Sequence, residues 1–574
     1  GNTIADLDVQ SSGGKTVNIS GDGKITVTTL GNANAAASFV STNTGGVTLT
    51  AALGTGVSFA GGDGADSVKL AATTKAITMG GGNDTVTSDA VAAWGTGGSV
   101  DGGDGTDTLV MAIADAATAS ASGTFEGTIS GFERLTVGDA AGIASINLAN
   151  LDDINYVSMG ADGSNAISIN NMTEGATLVK TGVGGATTTL NFVDSTGTAD
   201  SVNLKTSADA NRDFGTVKAD NIETINLETD DTNAATAHSA TVALSANSVK
   251  TLTISGDAGA VLANTSTTLT SVNASGLSKV GLTWATIGAL ASAATITGSP
   301  KADNIGDTNN NATKGVTIDG GLGEDTIKGG GSADTLTDTS AEANGDGNKI
   351  TGGGGNDTIT TGAGKDTILA GAGNDSITAG DGGDSITLNS GNNVVHAGGG
   401  VDTLIAGSGN DTLNGDAGND KFTMAGNWTK DDVVDGGAGT DTATVDVTSS
   451  VTAGTTSGIE AIEATFDAQT DVLALANLTG VVSVETKATN GDSDTANISG
   501  LSSGSTVVNK TAAIDTIVVD TVDAASVTID VQKAMATSVT VADAANVTLT
   551  NTGAGNGDMV TVALDTKDTV RLDV

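Results

Sequence analysis

Gly352–Thr423 reads GGGGNDTIT, TGAGKDTIL, AGAGNDSIT, AGDGGDSIT, LNSGNNVVH, AGGGVDTLI, AGSGNDTLN, GDAGNDKFT, eight nonapeptides without an insertion. The sixth place holds Asp357, Asp366, Asp375, Asp384, Asn393, Asp402, Asp411 and Asp420. The eighth holds Ile359, Ile368, Ile377, Ile386, Val395, Leu404, Leu413 and Phe422. Only 67 of the 574 residues are acidic, so seven Asp in these eight places is a chance event on the order of one in a million. A strict period of nine calls for stacked small units rather than one thick core.

The unit recurs outward from this run. GGLGEDTIK (320–328) and GGGSADTLT (329–337) precede it, and a degenerate copy, GSPKADNIG, begins at Gly298 and carries the only proline. GGAGTDTAT follows from Gly436. A second block near the N-terminus reads GGDGADSVK (61–69), LAATTKAIT, MGGGNDTVT and then GGDGTDTLV (102–110). Val68, Ile77 and Val86 keep the nine-residue step where the middle copy has lost its glycines.

The pattern GGxGxDxUx has a chemical reading. Glycines permit tight turns and leave main-chain carbonyls uncovered, and the Asp sets a carboxylate beside them. Donors that are all oxygen suit a hard cation, and six to eight of them suit Ca²⁺ better than Mg²⁺. The residues x-U-x form a short strand with U inward. One nonapeptide then makes a half coil, and residues 18 apart stack: Asp357 with Asp375, Asp366 with Asp384, Asp402 with Asp420. The expected calcium ligands of the first block are Gly62, Gly64, Asp66, Gly82, Asp84, Gly103, Gly105 and Asp107. Those of the main block are Asp303, Gly321, Gly323, Asp325, Asp334, Gly353, Gly355, Asp357, Gly364, Asp366, Gly373, Asp375, Gly382, Asp384, Asn393, Gly400, Asp402, Gly409, Asp411, Gly418, Asp420, Gly437, Gly439 and Asp441. The Asn393 copy is expected to bind more weakly, because a neutral amide replaces a carboxylate. Without metal, repelling carboxylates and glycine entropy favour disorder, so binding and folding are one event.

Composition agrees with thin layers. Glycine is 83 of 574 residues, proline one, and Trp, Tyr and Phe together only 12. The net charge of −44 repels phosphate and excludes nucleic acid as a partner. No disulfide staples the chain, since cysteine is absent, and metal takes that role in a secreted protein. No run of 18 apolar residues is present, so no membrane-spanning segment is expected. The start at Gly1, without a basic-then-apolar leader, reads as a mature part of something longer.

Outside the two blocks, KTVNIS, KITVTTL, TLTISG, SVTIDV, SVTVAD and NVTLTN are close-spaced strand signals. ALASAA near Gly288 and VLALANL from Val472 are short helix candidates. GFERLTV at Gly131, DNIETINLE at Asp220 and GIEAIEATF at Gly458 share an apolar residue, Glu, one residue and a strand; they read as equivalent rungs with surface Glu side chains. The fold class is all-β, an elongated β-solenoid containing calcium-binding parallel β-roll segments. The partition is 1–57 β-rich, 58–110 first repeat block, 111–297 β-rich solenoid, 298–444 main β-roll and 445–574 terminal β-rich region.

No enzymatic constellation stands out. His238 and His396 are the only histidines, and no HExxH occurs. Gly500-Leu-Ser502-Ser-Gly504 matches GxSxG, but its flanks do not make a strand, elbow and helix. GGKT at Gly13 and GAGK at Gly362 lack full phosphate-loop spacing. Trp94, Trp284, Trp428 and Tyr156 are scattered.

The nonapeptides are similar to those of RTX proteins, which bacteria export by type I secretion. SFAGGDGADSVKLAATTKAITMGGGNDTVT with GGSVDGGDGTDTLV resembles the lattice-forming region of RTX-repeat bacterial surface-layer (S-layer) proteins of the Caulobacter kind, as do GFERLTV and DNIETINLE. The resemblance runs, with gaps, over 40–230. It implies a calcium-dependent two-dimensional lattice on a Gram-negative cell surface. It also implies homo-oligomeric protomers, commonly hexameric, and anchoring to lipopolysaccharide through a domain expected to lie outside this chain. The main run here is longer and internal, which departs from that pattern. The expectation is a non-enzymatic structural subunit with multiple Ca²⁺; the alternative is an RTX adhesin or biofilm matrix protein.

Overall fold

The computed structural model describes residues 1–7, 14–31, 38–88, 98–139, 142, 144–152, 154–161, 165–233, 235–263, 267–285, 287, 290–306, 314–341, 347–467, 471–480, 483–488, 494–510, 514–521, 526–532, 537–542, 544, 546–550, 560–564 and 569–573. Two compact units divide the chain: Gly1–Trp284 with Leu290–Ser292, and Ala285–Ala289 with Ala293–Val574. Each is a parallel β-solenoid, the all-β class that the repeats predict.

In the second unit the run Gly352–Thr423 sets the pitch. Thr358–Ala363 pairs in parallel with Ser376–Thr378, with Ile359 opposite Ile377, and Val394–Gly400 follows with Val395 opposite Ile377. The alternate nonapeptides build the facing sheet: Thr367–Ala372, Ser385–Thr387 and Thr403–Ile405 place Ile368, Ile386 and Leu404 in one column. Two nonapeptides make one turn, and the register is 18. Ile359, Ile377, Val395 and Leu413 face Ile368, Ile386, Leu404 and Phe422, each at most 1% exposed. The core is one branched side chain thick from each sheet, which is why so few large residues suffice.

Beyond the repeats the turns lengthen while the pairing stays parallel. Ile462 pairs with Val484 and Val484 with Val507, steps of 22 and 23. The first unit behaves alike. Val68 pairs with Val86 at a step of 18, and Ile77 pairs with Phe59 and Val100 in the opposite sheet. Leu135, Val157 and Leu178 continue at wider steps.

The helix candidates do not stand. Val472–Ala474 is a strand, because its alternate residue Leu473 enters the core column. Of ALASAA, residues 290–294 are irregular and then strand, while Gly288 and Ala289 lie outside the described residues. The one α-helix among the described residues is Ile113–Ala119, with Ile113, Ala116 and Ala119 buried. Seven residues give only three apolar places, too short a run for periodicity to register. Trp284 and Trp428 are buried core residues, and Trp94 lies outside the described residues.

Candidate metal centre: a ladder of buried carboxylates

Every sixth-place residue of the repeats stands one place before its strand, and its side chain turns inward. The N–H of each donates to the side chain one turn further on. Asp366 N bonds Asp384 Oδ1 at 2.8 Å, Asp384 N bonds Asp402 Oδ1 at 2.7 Å, and Asp402 N bonds Asp420 Oδ1 at 2.9 Å. On the opposite side Asp334 N bonds Asp357 Oδ1 at 2.8 Å, and Asp357 N bonds Asp375 Oδ1 at 2.9 Å. Asp375 continues to Asn393, and Asn393 to Asp411. Asp303 donates to Asp325 and Asp420 to Asp441. In the first unit Asp66 donates to Asp84 and Asp84 to Asp107, both at 2.7 Å.

One carboxylate oxygen is thereby used and the other is not. Oδ2 of Asp84, Asp107, Asp325, Asp334, Asp357, Asp366, Asp375, Asp384, Asp402, Asp420 and Asp441 is buried without a hydrogen-bond partner. A buried anionic oxygen without a donor is costly and is the mark of a cation site. The exceptions are instructive. Asn393 turns its Nδ2 to Asp411 Oδ1 at 3.0 Å, so an amide hydrogen occupies what elsewhere is an open oxygen. Asp303 is capped by Ser299, whose N and Oγ donate to its two oxygens, and Asp66 Oδ2 accepts from Gly62 N at 3.2 Å.

Burial dominates the titration of these groups. It pushes Asp357, Asp384 and Asp84 up to about 7 and Asp334 and Asp420 up to about 6; the backbone N–H bond opposes it, and for all but Asp334 neighbouring carboxylates add to it. Asp325 is raised further still, by burial first and then by the Asp338 carboxyl beside it.

Glycine is required where the turns close. Gly373 has φ +139°, and a Cβ there would overlap Gly355 O one turn back. The first residue of several repeats faces the free oxygen instead: a Cβ on Gly352 would meet Asp357 Oδ2 and Ala370 O, and one on Gly415 would meet Asp420 Oδ2 and Gly436 O at 2.5–2.6 Å. Carboxylate and main-chain carbonyl oxygens thus converge within the turns, as a hard cation requires. Among the described residues no three His, Cys, Asp or Glu side chains gather in a metal-holding group. The donor set is one carboxylate per nonapeptide plus carbonyls, and it fits calcium in that form.

The ladder also recruits residues that the nine-residue template does not mark. Asn348 joins between Asp325 and Asp366, and Asp432 accepts from Asp411 N at 2.7 Å. Steps of 21 to 23 at these places hide them from a fixed period. The three Glu of the look-alike segments are half-buried and bond the backbone rather than standing free at the surface. Glu133 Oε2 accepts from Asp107 N and Glu460 Oε2 from Asp441 N, both at 2.7 Å, and Glu223 Oε2 accepts from Asp200 N at 3.1 Å. Each stands one place before its strand, as the Asp does. The shared apolar-Glu-x-strand spelling was the available signal.

The histidines and the GxSxG match lie apart from the ladders. His396 is on an outward strand position, 3.4 Å from Asp416. His238 Nδ1 lies 3.1 Å from Asp231 Oδ1. Ser502 sits in a turn between the strands Asp494–Leu501 and Thr506–Asn509. Among the described residues no helix is long and apolar enough to cross a membrane.

The profile of the RTX calcium-binding nonapeptide repeat matches residues 317–337, 342–377, 351–386, 362–395, 387–422 and 429–443. The chain therefore carries RTX repeats, a calcium-binding motif, on a parallel β-solenoid. The block at 58–110 lies outside the matched residues, yet Asp66, Asp84 and Asp107 repeat the ladder geometry there. No curated protein and no solved structure is detectably similar to the chain.

Proposed function

We propose that this is a secreted, calcium-folded structural protein of a bacterial cell surface, and that it is a subunit of a two-dimensional S-layer lattice. The observation that carries the calcium reading is the set of eleven buried Oδ2 atoms without hydrogen-bond donors. A divalent ion at each would halve the net charge of −44. The side chains would hold the ions through Oδ2, and glycine-exposed carbonyls of the adjoining turns would complete the shell; calcium there supplies charge neutralisation and no redox or acid–base chemistry. The lattice reading rests on the resemblance of the 58–110 region to S-layer proteins and on the need to neutralise a strongly acidic subunit before copies pack side by side. Secretion by the type I route accompanies the repeats, since cytosol is poor in calcium and would leave the chain unfolded for export.

The test is electron microscopy of the purified chain with CaCl₂. Ordered sheets are the expected result. Dispersed particles at saturating calcium would count against the lattice and favour the adhesin or matrix reading, while leaving the calcium reading intact.

A further inference from the structure

In the first unit the strands Tyr156–Met159, Thr177–Lys180, Ser201–Ala208, Thr224–Asp231 and Thr251–Gly256 lie side by side in one parallel sheet. Val157, Leu178, Leu204, Leu227 and Ile254 pair in register and face the core, each at most 3% exposed. The alternate places face out. One outward column runs Tyr156, Thr177, Asn203, Asn226 and Thr253, and a second runs Lys205, Glu228 and Ser255. Between the columns lies a cleft of about 360 Å³, a size that suits a small ligand or a stretch of a longer one. It crosses five strands, four steps of about 4.8 Å, and so runs along the solenoid for on the order of 19 Å.

The cleft has a definite chemistry. Asn226 Nδ2 donates to Asn203 Oδ1 at 2.9 Å, and Asn203 Nδ2 donates to Gly175 O at 2.8 Å. Those bonds fix both amides and leave Asn226 Oδ1 and the second hydrogen of each Nδ2 outside them. Tyr156, the only tyrosine of the chain, stands at one end, and Arg134 lies 4.6 Å from its ring centroid. Lys205 Nζ is held by Glu228 at 2.7 Å and by Asp230 at 2.6 Å. On a chain of net charge −44 this is a place where two cations balance two carboxylates.

We propose that this cleft binds a strand of linear, uncharged polysaccharide laid along the solenoid. Neutral amides and hydroxyls on successive rungs match a polymer that offers hydroxyls at every unit, and the tyrosine ring gives its apolar C–H face a seat. An acidic polymer would have to take Lys205 or Arg134 from its present partner, against the field of the whole chain. A peptide gains affinity by adding to a sheet edge, and these strands are interior ones whose main-chain groups already pair on both sides. The extent over five rungs favours a strand over a single sugar.

The experiment is calorimetric titration of the full chain in CaCl₂ with maltohexaose, cellohexaose, mannohexaose and chitohexaose, each beside its disaccharide, and with hexagalacturonate as the acidic counterpart. The variants are Tyr156→Ala, Asn226→Ala and, as a control in the second unit, Asn414→Ala; calcium-loaded circular dichroism of each should match the parent. At least one neutral hexasaccharide should bind with a Kd of about 0.1–1 mM, its disaccharide and hexagalacturonate at least about tenfold more weakly. Tyr156→Ala and Asn226→Ala should each weaken it about tenfold, and Asn414→Ala should leave it unchanged. Absence of heat with all four neutral hexasaccharides overturns the proposal, as does parent-like binding by both cleft variants. Equal affinity for the disaccharide overturns the strand, and equal affinity for hexagalacturonate overturns the preference for an uncharged one. Sheet formation in calcium is a separate observable, so none of these outcomes decides the lattice reading.

Discussion

At the scale of single residues, one side chain does two things. The sixth-place Asp closes the backbone of the preceding turn through Oδ1 and holds out Oδ2. These roles separate by substitution. Asp375→Asn preserves the acceptor for Asp357 N and removes the charge, so it should weaken calcium binding about tenfold while leaving the calcium-loaded fold intact. Asp375→Ala removes both and should additionally destabilise the loaded roll by about 1–3 kcal/mol, the cost of an unpaired buried N–H. Asn393→Asp should create a new site, seen as one more calcium ion per chain in the titration. Glu460→Ala should cost about 1–3 kcal/mol by orphaning Asp441 N, with calcium affinity near that of the parent, and Glu460→Gln should recover most of it. If Asn393→Asp leaves the stoichiometry unchanged, the open Oδ2 is not what recruits the ion.

At the scale of the β-roll, the carboxylates act together. In unfolded chain an Asp titrates near 4. In the metal-free roll burial raises Asp84, Asp357 and Asp384 to about 7. A raised folded value means that the folded state holds the proton more tightly, so this contribution is fully present below pH 4 and is lost as pH rises through about 7. The metal-free roll should therefore show its β signal in mild acid and lose it near neutrality. Calcium competes with those protons, so the calcium-loaded roll should run the other way and weaken as pH falls below about 6. Circular dichroism from pH 4 to 8, with EDTA and with calcium, checks both limbs; parallel pH curves in the two conditions would exclude the carboxylate ladder as the switch. Chelation at pH 7.5 should abolish the roll at 298–444 and the smaller one at 58–110.

At the scale of the whole molecule, charge decides association. A subunit of −44 repels its copies over a Debye length of about 8 Å at physiological salt. Filling the ladders removes about half of that charge, from the interior outward. Sheets should then form in Ca²⁺ and fail in monovalent salt at matched ionic strength, with Mg²⁺ a poor substitute because it demands small octahedral sites. Electron micrographs of sheets grown in NaCl without calcium would show that screening alone suffices, and would remove the specific-ion account.

Period and composition alone determined the parallel β-solenoid, the 18-residue stacking and the inward Ile; that the stacked Asp side chains turn inward came from the fold. A period of nine admits only one face for each place, so Ile359 over Ile377 and Asp357 over Asp375 follow from counting. Tertiary structure decided what counting does not reach. Turns of 21 to 23 residues keep the pairing but break the period, so Asn348 and Asp432 become visible only as partners in the ladder. A longer Glu reaches the same N–H as an Asp only when the next turn is beside it, which made Glu133 and Glu460 look like surface charges. Helix Ile113–Ala119 draws its order from packing on the strand Ala144–Asn147, not from its own seven residues.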